Sequence, residues 1–186
     1  METLAQIAAR FPLTDKGTIH SYLEVYERLF ERLRLKPITL LEIGVCSGDS
    51  LRMWDAYFPN GKVYGVDNDP TAYQDDRVKI LDATSSFEVE TKLGGMRFDI
   101  IIDDASHRIW DQIAIYRNLS PHLAKDGIYV IEDVADLATE PRIGQRENRD
   151  VYLQLDPTRR VELIDLRDIH NRFDDVLLVI RDFLYP

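Results

Sequence analysis

Apolar positions early in the chain recur at helical spacing. Ile19, Tyr22, Leu23, Tyr26, Leu29, Phe30 and Leu33 fall on one stripe, which predicts an amphipathic helix from residue 16 to about 35, stopped by Pro37. The pattern then changes to short β-rich runs separated by helical spacing, the mark of βαβ units and a parallel sheet. Five runs, 40–43, 63–66, 78–81, 100–102 and 128–131, each finish against acid: Glu42, Asp67, Asp82, Asp103 with Asp104, and Glu132 with Asp133. Parallel strand ends share one edge, where open α/β sheets bind ligands, so these acids are expected to converge on one crevice.

Leu51, Trp54 and Phe58 suit a first crossover helix, and Ile109, Trp110, Ile113, Tyr116 and Leu123 suit a later one, both read as core stripes. From residue 134 to 160 the periodicity is lost, in a polar stretch holding Arg142, Arg146, Arg149, Arg159 and Arg160 that reads either as an acceptor lid or as a solvated loop. Residues 161–166 and 176–180 then read as two strands, and the connection between them is short for a crossover, which favours an antiparallel hairpin. The expected architecture is α/β and doubly wound, with a mostly parallel seven-stranded sheet, an antiparallel closing hairpin and N-terminal helices. Residues 1–36 read as a helical preface and 37–186 as one domain.

The 186 residues, 45% hydrophobic and 30% charged, suit one globular domain. The 23 basic against 33 acidic residues give a net charge of -10, which opposes a nucleic-acid partner. Cys46 is the only cysteine, so an intrachain disulfide is excluded and a cytoplasmic location is expected. The opening METLAQIAARFPLTDKG has no basic segment leading into an apolar one, and no apolar run reaches the ~18 residues of a membrane span. The reading is therefore a protein neither exported by this signal nor embedded in a membrane.

The turn after the first run, Leu41-Glu42-Ile43-Gly44-Val45-Cys46-Ser47-Gly48-Asp49-Ser50, carries two glycines. Gly44 and Gly48 permit positive φ and close backbone approach to a ligand, or simply a tight turn. Asp67, ending the next run, can accept both hydroxyls of a ribose, and the pair points to an adenosine-containing ligand. The dinucleotide fingerprint G-x-G-x-x-G is not met, and Asp49 at the helix start would repel a phosphate. Adenosine without phosphate fits S-adenosylmethionine, whose sulfonium and amino groups suit acidic strand ends. The candidate cofactor residues are Glu42, Gly44, Gly48, Asp67, Asp82 and Asp103; Asp82 equally suits a helix N-cap. Asp104, Glu132 and Asp133 could surround one hard cation, with His107 of Ile101-Ile102-Asp103-Asp104-Ala105-Ser106-His107 beside it.

LLEIGVCSGDS followed by YGVDNDP resembles the first two motifs of class I methyltransferases, with Cys46 where a glycine is often found. The combination with IIDDASH and YVIEDV looks like the metal-dependent sugar O-methyltransferases of macrolide and related natural-product pathways. Thr14-Asp15-Lys16-Gly17 with His20 and Tyr22 resembles that family's segment before the fold, and Arg172-Phe173-Asp174-Asp175 its closing hairpin. The resemblance implies a Rossmann-like methyltransferase fold, magnesium on Asp104, Glu132 and Asp133, His107 as general base, and Asp82 near the adenine. It assigns nothing to His20, His122 or His170.

The chemistry gives each part a reason. An aliphatic hydroxyl is a weak nucleophile, so its attack on a sulfonium methyl needs a metal to acidify it and a base to take its proton. The expected partner is a small-molecule hydroxyl acceptor, a sugar or sugar-like group. A phenolic or catechol acceptor, a non-catalytic nucleotide-binding module and a nicotinamide oxidoreductase stay open, the last weakened by the failed fingerprint. The amphipathic first helix could pack on its own domain or on a second copy, which leaves a homo-oligomer open.

Overall fold

The computed structural model describes residues 1–68, 77–82, 85–134, 151 and 154–182, without the side chains of Ile80, Asp82 and Ser86. Seven strands, β1 (Thr39–Ile43), β2 (Lys62–Asp67), β3 (Val78–Asp82), β4 (Phe98–Asp103), β5 (Leu123–Ile131), β6 (Arg160–Asp165) and β7 (Val176–Arg181), form one sheet in the order β3-β2-β1-β4-β5-β7-β6. β1 to β5 pair in parallel, and β7 runs antiparallel between β5 and β6, as the hairpin reading expects. The strand order reverses between β1 and β4, so the loops after those two strands meet at the switch point where doubly wound sheets bind ligands.

Helices cover both faces. α1 (Leu4–Ala8), α2 (Leu23–Phe30) and α3 (Asp49–Tyr57) contribute to one buried cluster with Leu40, Ile100, Ile102 and Val130. α4 (Ser86–Leu93) and α5 (Ile109–Leu119) contribute to the other with Leu41, Ile43, Ile101 and Ile131. The clusters separate because side chains alternate along each strand. The preface thus shares the sheet's own core: Tyr26 packs edge-on against Trp54 at 5.1 Å and stacks with Phe30.

Three expectations are corrected. The helix expected from residue 16 is confined to Leu23–Phe30, because the Asp15 carbonyl accepts from the amides of Thr18, Ile19 and His20 and winds that stretch into a tight turn. Trp110 is not core; it is 67% exposed on α5. Leu123 belongs to β5 instead of α5. A short helix, α6 (Arg167–His170), occupies the hairpin connection. Arg142, Arg146 and Arg149 lie outside the described residues. Arg159 is anchored on Asp156 and Asp182, and Arg160 on Glu162. No helix among the described residues is long and apolar enough to cross a membrane.

Candidate active site

Strand alternation sorts the acids before any ligand is considered. Glu42 follows Leu40, Asp104 follows Ile102 and Glu132 follows Val130, each two residues on, so all three face the α1–α3 side. Asp103 follows Ile101 onto the opposite side. There it is 1% exposed, and burial drives its carboxyl well above the ordinary range. It is absent from the walls of both cavities described next, which departs from its expected place at the cofactor.

The loop after β1 is held from two directions. Gly44 has φ +86°, and a Cβ there would lie 2.1 Å from the Asp104 carbonyl oxygen, so this position admits only glycine. Asp67 Oδ2 accepts from the Val45 and Cys46 amides at 2.7 and 3.0 Å, tying the loop to the end of β2. Cys46 has φ +48°, the backbone region that favours the glycine found there in the resembling motif. Gly48, at φ +81°, caps α3 and is absent from the cavity walls. Beside the loop, a cavity of about 610 Å³ is lined by Val66, Asp67, Val89, Ser106 and Ile115, and one of about 330 Å³ by Leu13, Lys16, Ser47, Asp104 and His107. Gly44, Asp67 and Ala105 line both, so the two are lobes of one cleft. The Asp82 side chain lies outside the described residues; its backbone pairs with Asp67 at the end of β3.

The preface supplies a wall that the strand pattern does not reveal. The buried Lys16 Nζ lies 2.7 Å from Asp104 Oδ2, 2.7 Å from Glu132 Oε1 and 3.1 Å from Glu42 Oε1. Burial pulls the Lys16 ammonium toward neutrality, but the three carboxylates outweigh it and hold the group charged. The Tyr26 hydroxyl donates to Glu132 Oε1 at 2.5 Å, and the Tyr22 hydroxyl to Asp133 Oδ1 at 2.6 Å. His20, stacked on Tyr22, places Nδ1 3.4 Å from Asp133 Oδ1 and 3.5 Å from Asp175 Oδ1. Sequence reading left Lys16, His20, Tyr22 and Tyr26 without roles. A signal existed in the two tyrosines, since a buried phenol needs a hydrogen-bond partner.

His107 completes the arrangement. Its Nδ1 lies 2.9 Å from Asp133 Oδ2, and the side chain is half exposed on the cleft wall. The hydrogen bond to Asp133 raises the His107 pKa above the ordinary imidazole value against an opposing effect of burial. For Asp133, burial acts upward, yet the bonds from His107 and Tyr22 hold the carboxyl below its usual range. Among the described residues, ligand atoms of Asp104, His107 and Asp133 lie within 4.8 Å of one another, as do those of Glu42, Asp104 and Glu132. The expected trio of Asp104, Glu132 and Asp133 is thus divided between two groups that share Asp104.

The family model for a methyltransferase domain matches residues 41–134, from the first strand through the acids after β5. The chain belongs to this methyltransferase domain family. Relatives include the 8-demethyl-8-(2-methoxy-alpha-L-rhamnosyl)-tetracenomycin-C 3'-O-methyltransferase of Streptomyces olivaceus, 38% identical over 144 residues, with 70% of this chain and 36% of that protein covered. The mycinamicin VI 2''-O-methyltransferase of Micromonospora griseorubida is 33% identical over 144 residues, with the same coverage of each chain. This methyltransferase-family chain therefore spans about a third of the length of the curated relatives it matches. The fold is also that of the MycE methyltransferase from the mycinamycin biosynthetic pathway, solved in complex with Mg, SAH and mycinamycin VI. The TM-score is 0.76 at 24% identity, covering 97% of this chain and 54% of that one.

Proposed function

We propose that this protein transfers a methyl group from S-adenosylmethionine to a hydroxyl of a sugar or sugar-like group on a small natural product, with magnesium assistance. The observation that carries the reading is His107: fixed through Nδ1 by Asp133 at 2.9 Å, it stands on the wall of a cleft that continues past Gly44 and Asp67. A base and an adenosine-sized cavity therefore share one space. The named activities of the relatives, methylation of sugar hydroxyls on tetracenomycin and mycinamicin, support the same acceptor class.

The residues fit both groups. The larger lobe, about 610 Å³, is within the usual size of a small-molecule site, and Asp67 stands where a ribose-binding acid belongs. Asp104 on the cleft wall and Asp133, bonded to the cleft-lining His107, offer hard oxygen donors, the type magnesium selects, with Glu132 adjoining through Asp104. When bound, S-adenosylmethionine supplies an electrophilic methyl and magnesium lowers the pKa of a coordinated hydroxyl. Asp133 fixes the imidazole with the proton on Nδ1, so Nε2 is the nitrogen available to take the acceptor's proton. Tyr22 holds Asp133 from the side of the preface. We place the protein in the cytoplasm, acting on a small molecule and not on nucleic acid, in keeping with its charge of -10 and single cysteine.

The test is methylation of rhamnosylated and catechol acceptors with S-adenosylmethionine, with EDTA and with magnesium restored. Sugar methylation lost in EDTA and regained with magnesium is expected. Sugar methylation indifferent to EDTA would remove the metal, preference for the catechol would shift the acceptor, and cofactor binding without any methylation would reduce the protein to a binding module.

A further inference from the structure

The Glu42, Asp104 and Glu132 carboxylates have the donor set and spacing of a divalent-cation site. Its centre is filled by the chain's own cation, since Lys16 Nζ contacts all three acids at 3.1, 2.7 and 2.7 Å. Glu42 and Glu132 are both almost fully buried; burial pushes their carboxyls toward the neutral form, and the Lys16 ammonium opposes it. The tight turn at Asp15 directs Lys16 inward, and the Leu13 amide donates to Asp49 Oδ2 at 3.0 Å, pinning the segment to the start of α3. The lysine is therefore delivered by backbone structure and is not a stray surface side chain. Asp104 also belongs to the group with His107 and Asp133, and so links this cluster to the place where the proposed reaction needs its ion.

We infer that Lys16 is a resident counter-cation and the positioning residue of the centre. Its ammonium takes the place of a divalent ion among Glu42, Asp104 and Glu132, and sets the Asp104 carboxylate toward the cleft before any metal arrives. The inference rests on the proposed function only in placing the reaction's ion on the Asp133 side. Substitution of Lys16 by a neutral side chain of similar length removes the cation that contacts all three carboxylates, two of them buried, and a divalent ion then fills the vacated position.

Manganese, counted by the loss of its free-ion resonance signal, tests this in wild type, Lys16→Met and the charge-balanced Lys16→Met/Glu42→Gln. Lys16→Met is expected to bind one more equivalent than wild type and to melt roughly 10 °C lower in EDTA, recovering most of that loss in manganese. The double variant should gain no extra equivalent. An unchanged manganese count in folded Lys16→Met, with no manganese-dependent rise in melting temperature, overturns the inference. If Lys16→Met does not fold, manganese-soaked crystals of wild type decide by anomalous scattering. Lys16 retained among the three carboxylates upholds the assignment; a manganese peak in that position with the ammonium displaced refutes it. Wild type that binds no manganese while Lys16→Met binds one would end the metal part of the proposed function and uphold the role of Lys16.

Discussion

His107 Nδ1 lies 2.9 Å from Asp133 Oδ2, and because an ionised carboxylate can only accept, the imidazole proton is fixed on Nδ1. The other oxygen of Asp133 is taken by the Tyr22 hydroxyl at 2.6 Å, so the carboxylate cannot swing away from the ring. The relationship joins the loop after β4 to the loop after β5 and orients the one imidazole that lines the cleft among the described residues.

His107→Ala is accordingly expected to lower kcat by roughly 10²–10⁴-fold, the usual contribution of a positioned base. Its affinity for S-adenosylhomocysteine should stay near wild type, because the Gly44 loop and Asp67 are untouched. Single-turnover kinetics and calorimetric titration separate the two. A parallel loss of affinity would mean that the histidine supports the fold of the cleft and not the chemistry.

Much of this arrangement is legible in the sequence. Each of the seven strands sits where β-rich runs mark it, and the acids that close those runs stand out as breaks in the apolar pattern, although Glu42, Asp103, Glu132 and Asp133 are buried. Strand alternation, applied to Ile101-Ile102-Asp103-Asp104, also separates Asp103 from Asp104, although acid content alone groups them. The preface is less legible. Tyr22 and Tyr26 satisfy an apolar stripe and a polar site at once, and periodicity registers only the stripe. Lys16 has no role in the apolar pattern, and its burial follows the turn at Asp15, a matter of local backbone hydrogen bonds.

Gly44→Ala tests the contact between the two loops. Its φ of +86° disfavours any Cβ, and the Asp104 carbonyl 2.1 Å from that Cβ is backbone that cannot rotate aside. The substitution should cost about 2 kcal/mol or more, a fall in Tm of roughly 4–8 °C for a chain of this size. A thermal melt within a degree of wild type would show that the loop can move off Asp104 freely.

Asp67 is expected to act on the cofactor partly through the loop it ties down. Asp67→Ala removes charge-assisted acceptance from the Val45 and Cys46 amides, which lie 2.7 and 3.0 Å away. With such bonds worth about 1.5–3 kcal/mol, S-adenosylhomocysteine should bind roughly 10–100-fold more weakly. Asp67→Asn, which keeps an acceptor oxygen, should fall between, as measured by calorimetry. Equal loss in the two variants would mean that charge alone, and not the tether, governs affinity.

Asp156 predicts an acid-sensitive link at the return of the chain toward β6. Burial pushes its carboxyl upward, but the Thr158 hydroxyl, the Tyr116 hydroxyl at 2.6 Å and Arg159 hold it below the ordinary value. Tyr116 is in turn pushed up to about 12, first by burial and then by its bond to Asp156, so it remains the donor throughout the range that matters. A depressed folded-state pKa means that the unfolded chain binds more protons as pH falls past the ordinary aspartate value of ~3.9. The stabilisation from Asp156 is therefore present above that value and is lost as pH drops through the folded pKa. Urea midpoints measured from pH 5 downward should fall more steeply for wild type than for Asp156→Asn, with the two curves converging at the acid end. Parallel curves over that whole span would mean that the carboxylate's three hydrogen-bonding partners do not favour its charged form.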